Sequence, residues 1–287
     1  MSYKTLLVHL DDSRHSAARI AVALDLAQRF DAHLIGLYVI SQDLFQPLFK
    51  LDDSLHPSTL EEQHVQRQLS AQTAFLDAAQ RAARNVEWRA PQGPAIETAT
   101  LHARHADLLI LGQRDPEDPA SYVARHFIED LLMESGRPAL VLPYAGKVAA
   151  TVGENVVIAW DGSREAARAL SDSLALIKRA RFVTIESVGR HGNDSGNGTN
   201  NAPHDQAPAA IDVSAFLERH GIRASFSATP DVAGVSTGAT LLNRVADLHA
   251  DLLVMGAFGH PRAQERVLGG VTRTMLESMT VPVLMSH

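Results

Sequence analysis

The chain has 287 residues and no cysteine, which excludes disulfide bridges and thiolate metal sites. Aromatic residues are only 5% of it, against 45% hydrophobic residues overall. Alanine, leucine and valine must therefore pack the cores, and such small side chains let helices lie close on a parallel sheet. A basic excess is missing too: Lys+Arg number 26 against 33 Asp+Glu, a formal charge of −7. Nucleic-acid binders show a basic stripe, so nucleic acid is not an expected partner. No apolar run has the length of a membrane span, and no signal segment precedes the apolar stretch that follows Met1–Lys4. A cytoplasmic protein without a membrane partner is the expectation.

What is present is a duplication. Thr5–Ser13 (TLLVHLDDS) resembles Asn155–Ser163 (NVVIAWDGS), pairing Asp11 with Asp161 and Ser13 with Ser163 at an offset of 150. Ala17, Ile20, Leu24 and Ala27 match Ala167, Leu170, Leu174 and Ile177 at the same offset, so one apolar helical face is written twice. Ala106–Gly112 (ADLLILG) matches Ala250–Gly256 (ADLLVMG), and Arg137–Leu142 matches Val281–Ser286.

Each copy reads as five strands alternating with four helices. Continuously apolar strands such as 108–111 and 252–255 imply burial on both faces. The fold class expected is α/β, two tandem doubly wound domains, each a five-stranded parallel sheet flanked by helices. The domains fall at 1–145 and 154–287, joined by a linker of small residues. The run 189–203 is too polar to bury and reads as a loose loop. Its counterpart, 41–59, holds Leu44, Phe45, Leu48, Phe49 and Leu51 and is expected to pack.

One stretch carries chemistry. Gly256 ends an apolar strand, Gly259 follows after two residues, and Gly269 and Gly270 follow after nine more at the start of a helix. Glycines let backbone N–H groups approach a phosphate, and a helix N-terminus offers unpaired N–H groups with partial positive charge. Thr272 adds a hydroxyl in the first turn, and Arg262 is placed to close over the charge.

This Gly-x2-Gly-x9-Gly pattern, followed by a small residue and Val-Thr, resembles the ATP-binding signature of the universal stress protein family. Asp161-Gly-Ser after the first strand and Val-Pro-Val-Leu at the last strand fit the same family. The resemblance spans nearly the whole chain in tandem form and implies the adenine nucleotide alpha hydrolase-like fold. It implies ATP or a related adenine nucleotide as ligand, with Mg²⁺ as the companion expected for its phosphates. Asp161, with Ala159 and Trp160, would lie near the base and the metal-facing side, and Val188 would line the adenine pocket. Met255, Gly256, Gly259 and His260 would contact ribose and phosphates, and Gly269, Gly270, Val271 and Thr272 would cradle the phosphates. The implied role is a stress-response regulator. The two copies are expected to associate as an intrachain pseudo-dimer through 139–142 and 282–286, with a homodimer as a further expectation.

Two positions depart from the family pattern. Gly270 stands where Ser or Thr is usual, and Phe258 where a polar residue is common. The first copy departs further. It keeps Gly112 but has Asp115 for the second glycine and Arg125-His126 for the glycine pair, so its phosphate site is expected to be closed by acidic and bulky groups. With no positioned base or cation clamp, hydrolysis would be slow at most. The alternative is a nucleotide-free interaction scaffold of the same fold.

Other motifs have plainer readings. Ser13 and Ser163 are expected to cap helices. Gly234-Val-Ser-Thr-Gly238 matches a hydrolase nucleophile elbow, but it follows a polar loop and lacks the surrounding large sheet. His102 and His105 lie three apart on a helix without further evident ligands. His191 and His204 sit in the loose loop.

Overall fold

The computed structural model describes residues 2–40, 57–118, 124–146, 151–189, 210–230, 232–259 and 270–287. The loops expected over 189–203 and 41–59, His191 and His204 lie almost entirely outside the described residues. The chain divides into two compact units, Met1–Thr151 and Val152–His287.

Unit 1 runs β1 (Thr5–Leu10), α1 (Ser16–Phe30), β2 (His33–Tyr38), α2 (Pro57–Arg81), β3 (Val86–Arg89), α3 (Ala95–Ala103), β4 (Leu108–Gly112), α4 (Phe127–Ser135), β5 (Ala139–Leu142). Unit 2 repeats it: β6 (Asn155–Ala159), α5 (Arg164–Ile177), β7 (Phe182–Val188), α6 (Ala210–Arg219), β8 (Ser225–Thr229), α7 (Thr237–Asp247), β9 (Leu252–Gly256), α8 (Gly270–Ser278), β10 (Val283–Ser286). All pairings within each unit are parallel. The strand order is β3-β2-β1-β4-β5 in unit 1 and β8-β7-β6-β9-β10 in unit 2. The order reverses between β1 and β4, and between β6 and β9. In doubly wound sheets the crevice at that switch point, beyond the strand C-termini, is where ligands bind.

The central strands are buried on both faces, as their apolar runs require: Leu108–Leu111 and Leu252–Met255 are all buried. The duplication extends to polar anchors. Asp107 Oδ2 accepts from the backbone N–H of Lys4 and Thr5 (2.7 and 2.9 Å). Asp251 does the same for Glu154 and Asn155 (both 2.9 Å), so each first strand is pinned at its start by the residue preceding its partner strand.

Helix starts differ between copies. Ser163 caps α5 by accepting from Ala166 N–H (3.1 Å), as expected. Ser13 does not cap α1: the helix begins two residues later, with His15 at the cap position and no side-chain cap. The Ser13 hydroxyl instead donates to Asp11 Oδ1 (2.6 Å), because that carboxylate is buried and must be hydrogen-bonded. Ser236 caps α7 by accepting from Ala239 N–H (3.2 Å), which gives the Gly-x-Ser-x-Gly sequence a structural duty.

Candidate functional site

A cavity of about 1080 Å³ opens beyond the C-terminal ends of the strands of unit 2. Ala159, Trp160 and Asp161 follow β6, Val188 ends β7, and Met255 and Gly256 end β9; with Gly259, Gly270, Val271 and Thr272 they all line it. Ten of the thirteen residues singled out from the sequence thus share one wall. His260, Arg262 and Gly269 lie outside the described residues. The loop between β8 and α7 supplies a further wall that the motif does not mark, with Pro230, Val232 and Val235 as its apolar part.

Close packing explains the first glycines. A Cβ on Gly256 would lie 2.6 Å from Ala166 N and from Glu165 C, so only glycine lets the first turn of α5 sit against the end of β9. A Cβ on Gly259 would lie 3.3 Å from Glu165 Oε2. By contrast, no atom of the described residues lies within 4 Å of a Cβ placed on Gly270, the first residue of α8. The N-terminus of that helix, where N–H groups lack helical partners, faces the cavity.

The turn after β9 is held by contacts from afar. Phe258 has the left-handed φ of 62°, unusual for a bulky residue. Its N–H donates to Thr272 Oγ1 (3.3 Å), leaving the buried threonine hydroxyl its own proton to donate. Its ring meets His287 edge-on at 5.8 Å, and His287 Nδ1 donates to Ala257 O (3.1 Å).

Glu186 is a buried charged residue at the cavity that the sequence pattern does not mark. It is fully buried in β7, accepts from Thr229 Oγ1 (2.5 Å) and pairs with Arg244 Nε (3.2 Å). Its partners come from β8 and α7, far away in sequence, so no local pattern marks it. Trp160 Nε1 is a buried donor with no hydrogen-bond partner among the described residues.

Unit 1 closes the equivalent space, leaving a cavity of about 10 Å³. The occupant is Arg19 of α1, buried and paired with Asp11 at 2.5 Å. Its Nη1 lies 2.0 Å from where a Cβ on Gly112 would be, so the glycine that admits a helix turn in unit 2 admits a guanidinium in unit 1. Burial alone would raise the Asp11 carboxyl, but Arg19, His9 and Ser13 together hold it below the ordinary carboxylate range. Burial pushes the neighbouring His9 imidazole down, and its Nε2 bonds Val39 O (2.8 Å). Asp115 is buried beneath Arg14 and His15, hydrogen-bonded to both. Arg125 and His126, expected to obstruct the loop, are exposed at the start of α4. The space is filled from α1 instead.

The model of the universal stress protein family matches residues 2–143 and again 153–287. Among solved structures, a universal stress protein from Archaeoglobus fulgidus DSM 4304 superposes with a TM-score of 0.73 at 15% identity, covering 98% of this chain and 95% of that one. A functionally unknown protein from Pseudomonas aeruginosa PAO1 gives a TM-score of 0.59 at 14% identity, covering 99% and 92%. At such identities the likeness concerns the fold. No curated protein matches the chain, and no helix among the described residues is long and apolar enough to cross a membrane. The family match over both halves carries the conclusion: this chain belongs to the universal stress protein family and holds two of its domains in tandem.

Proposed function

We propose that unit 2 binds ATP or a related adenine nucleotide and that the chain is a nucleotide-responsive regulator in the stress response. The contrast between the copies carries this reading: the same corner of the fold is a cavity of about 1080 Å³ in unit 2 and is filled by Arg19 in unit 1. Ligand pockets for molecules of this size run to about 300–1,000 Å³. The backbone at Gly256, Gly259, Gly269 and Gly270 receives the phosphates, aided by the Thr272 hydroxyl and by His260 and Arg262. The base and ribose lie toward Ala159, Trp160 and Val188. Asp161, a carboxylate in the cavity wall, is suited to hold Mg²⁺ with its water shell. Among the described residues Arg273 is the only cation lining the cavity, which supports slow hydrolysis over rapid phosphoryl transfer.

Mass analysis of ligand released from denatured, freshly purified protein is expected to find an adenine nucleotide, and added ATP with Mg²⁺ to raise the melting temperature. Gly259→Asp, which sets a second carboxylate against Glu165, is expected to remove both signals, as is Gly269→Arg. No co-purifying nucleotide and no thermal shift would leave the nucleotide-free scaffold as the reading, which the missing hydroxyl at Gly270 favours. That position has its own test. Gly270→Ser meets no described residue within 4 Å of its Cβ and adds one hydrogen-bonding hydroxyl, worth about 0.5–1.5 kcal/mol. Calorimetric titration is expected to show affinity rising about 2- to 12-fold. An unchanged affinity would mean the phosphates do not reach the start of α8.

A further inference from the structure

The closed corner of unit 1 gathers ligands of a different kind. His15 precedes α1, and Asp115 and Asp118 follow β4. Each offers one ligand atom, and the three atoms lie within 4.8 Å of one another. The two carboxylates are buried, at 3% and 8% exposure, while the His15 side chain is 29% exposed, so the group has an opening on the imidazole side.

The carboxylates are held in place independently of one another. Asp115 Oδ1 accepts from Glu117 N–H (2.9 Å), and Asp118 Oδ2 accepts from Arg14 N–H (3.0 Å). Backbone bonds of this sort orient ligand oxygens in metal sites. Around the group, Arg14 lies on Asp115, Arg19 on Asp11 and Arg67 on Asp12. The buried Oδ1 of Asp12 has no hydrogen-bond partner among the described residues. Its carboxyl is raised, first by burial and further by the charges of Asp11 and Asp118.

We propose that His15, Asp115 and Asp118 form a divalent transition-metal site in unit 1, for which Arg14 is the resident competitor. Arg14 lies on Asp115 through a side chain that is 56% exposed, so it can swing into solvent when an ion arrives. The exchange replaces one positive charge by two beside the Asp115 and Asp118 carboxylates. One imidazole nitrogen with two carboxylate oxygens suits Zn²⁺, whereas Mg²⁺ and Ca²⁺ take oxygen ligands throughout. Three protein ligands leave a coordination position for water.

Titrating the full chain with Zn²⁺ by calorimetry tests the assignment. The unaltered chain is expected to bind Zn²⁺, and His15→Ala and Asp118→Asn each to weaken that binding about tenfold or more. Arg14→Ala is expected to strengthen it, because the competing cation is gone. That direction separates the site from a salt-bridge cluster, since a variant that merely loosened the loop would bind less. No Zn²⁺ binding, or binding that His15→Ala leaves unchanged, overturns the proposal, the second outcome assigning the metal to other histidines. Weaker binding by Arg14→Ala overturns it too. Arg14 is largely exposed, so this variant keeps the test decisive if His15→Ala fails to fold.

Discussion

Arg19→Ala is expected to cost unit 1 about 3–5 kcal/mol, the range for stripping one partner from a buried ion pair. Both members are almost wholly buried, with 4% and 5% of their side chains exposed. Without Arg19, Asp11 keeps its burial and loses its cation. Denaturant unfolding at neutral pH is expected to show the deficit in the transition of unit 1. The pH dependence has a definite sign. Asp11 is held below its ordinary value in the intact chain. The pair's contribution is therefore complete above the unfolded carboxylate value, about pH 4, and is lost as pH falls through the lower folded value. In the variant, burial dominates and lifts the carboxyl, so its penalty fades as the group is protonated. The gap between variant and parent is expected to narrow in acid. A gap that stays constant from pH 7 to pH 3 would show that the loss is one of packing, not charge. The double variant Arg19→Met with Asp11→Leu is expected to recover most of the loss, since apolar replacements of buried pairs are often neutral.

Gly256→Ala is the second large effect. Its Cβ would fall 2.6 Å from backbone atoms of Glu165 and Ala166, where carbon contacts settle near 3.5–4.0 Å. The first turn of α5 cannot yield as a side-chain tip can. Overpacking of this kind typically costs about 1–3 kcal/mol, occasionally more, and an unyielding neighbour belongs at the upper end. Under the proposed function, retreat of that turn also shifts Asp161 and the loop through Gly259, so ATP affinity should fall at least about tenfold, or about 1.4 kcal/mol. Melting and titration read the two effects separately. Gly112→Ala in unit 1 meets the Arg19 guanidinium, whose tip can move, and is expected to leave ATP binding unchanged. Equal loss of nucleotide from both alanine variants would show that the ligand is not confined to unit 2.

The architecture was legible because periodicity and duplication reinforce each other. Leu108–Leu111 and Leu252–Met255 could only be doubly covered strands, and the repeat fixed what lay between them. The glycine spacing located the cavity wall because Gly256 ends β9 where the first turn of α5 packs on it and Gly270 begins α8, both at the cavity rim. Residues whose duty arises from tertiary juxtaposition left no such trace. Arg19 sits on an amphipathic helix among alanines, and only the fold brings it to Gly112. Glu186 lies in a strand segment, ThrIleGluSer, that reads as ordinary alternation, while Thr229 and Arg244 meet it from other elements. Ser13 misled for the same reason: its copy Ser163 has a helix N–H to accept from, whereas Ser13 has a buried carboxylate beside it.

The placement of the tryptophans has an optical consequence. The chain has two, and each unit holds one. Trp88 packs between Tyr38 and Phe75, with ring centroids 5.9 and 6.3 Å away. Trp160 stands in the wall of the open cavity of unit 2. Ultraviolet emission thus contains one fluorophore embedded in aromatic neighbours and one beside the space a ligand would enter. With Trp88→Phe, the remaining signal reports unit 2 alone, and with Trp160→Phe, unit 1 alone. The chain carries a separate built-in lamp for each half, so the unfolding of one domain and the filling of the other can be watched without attaching a dye.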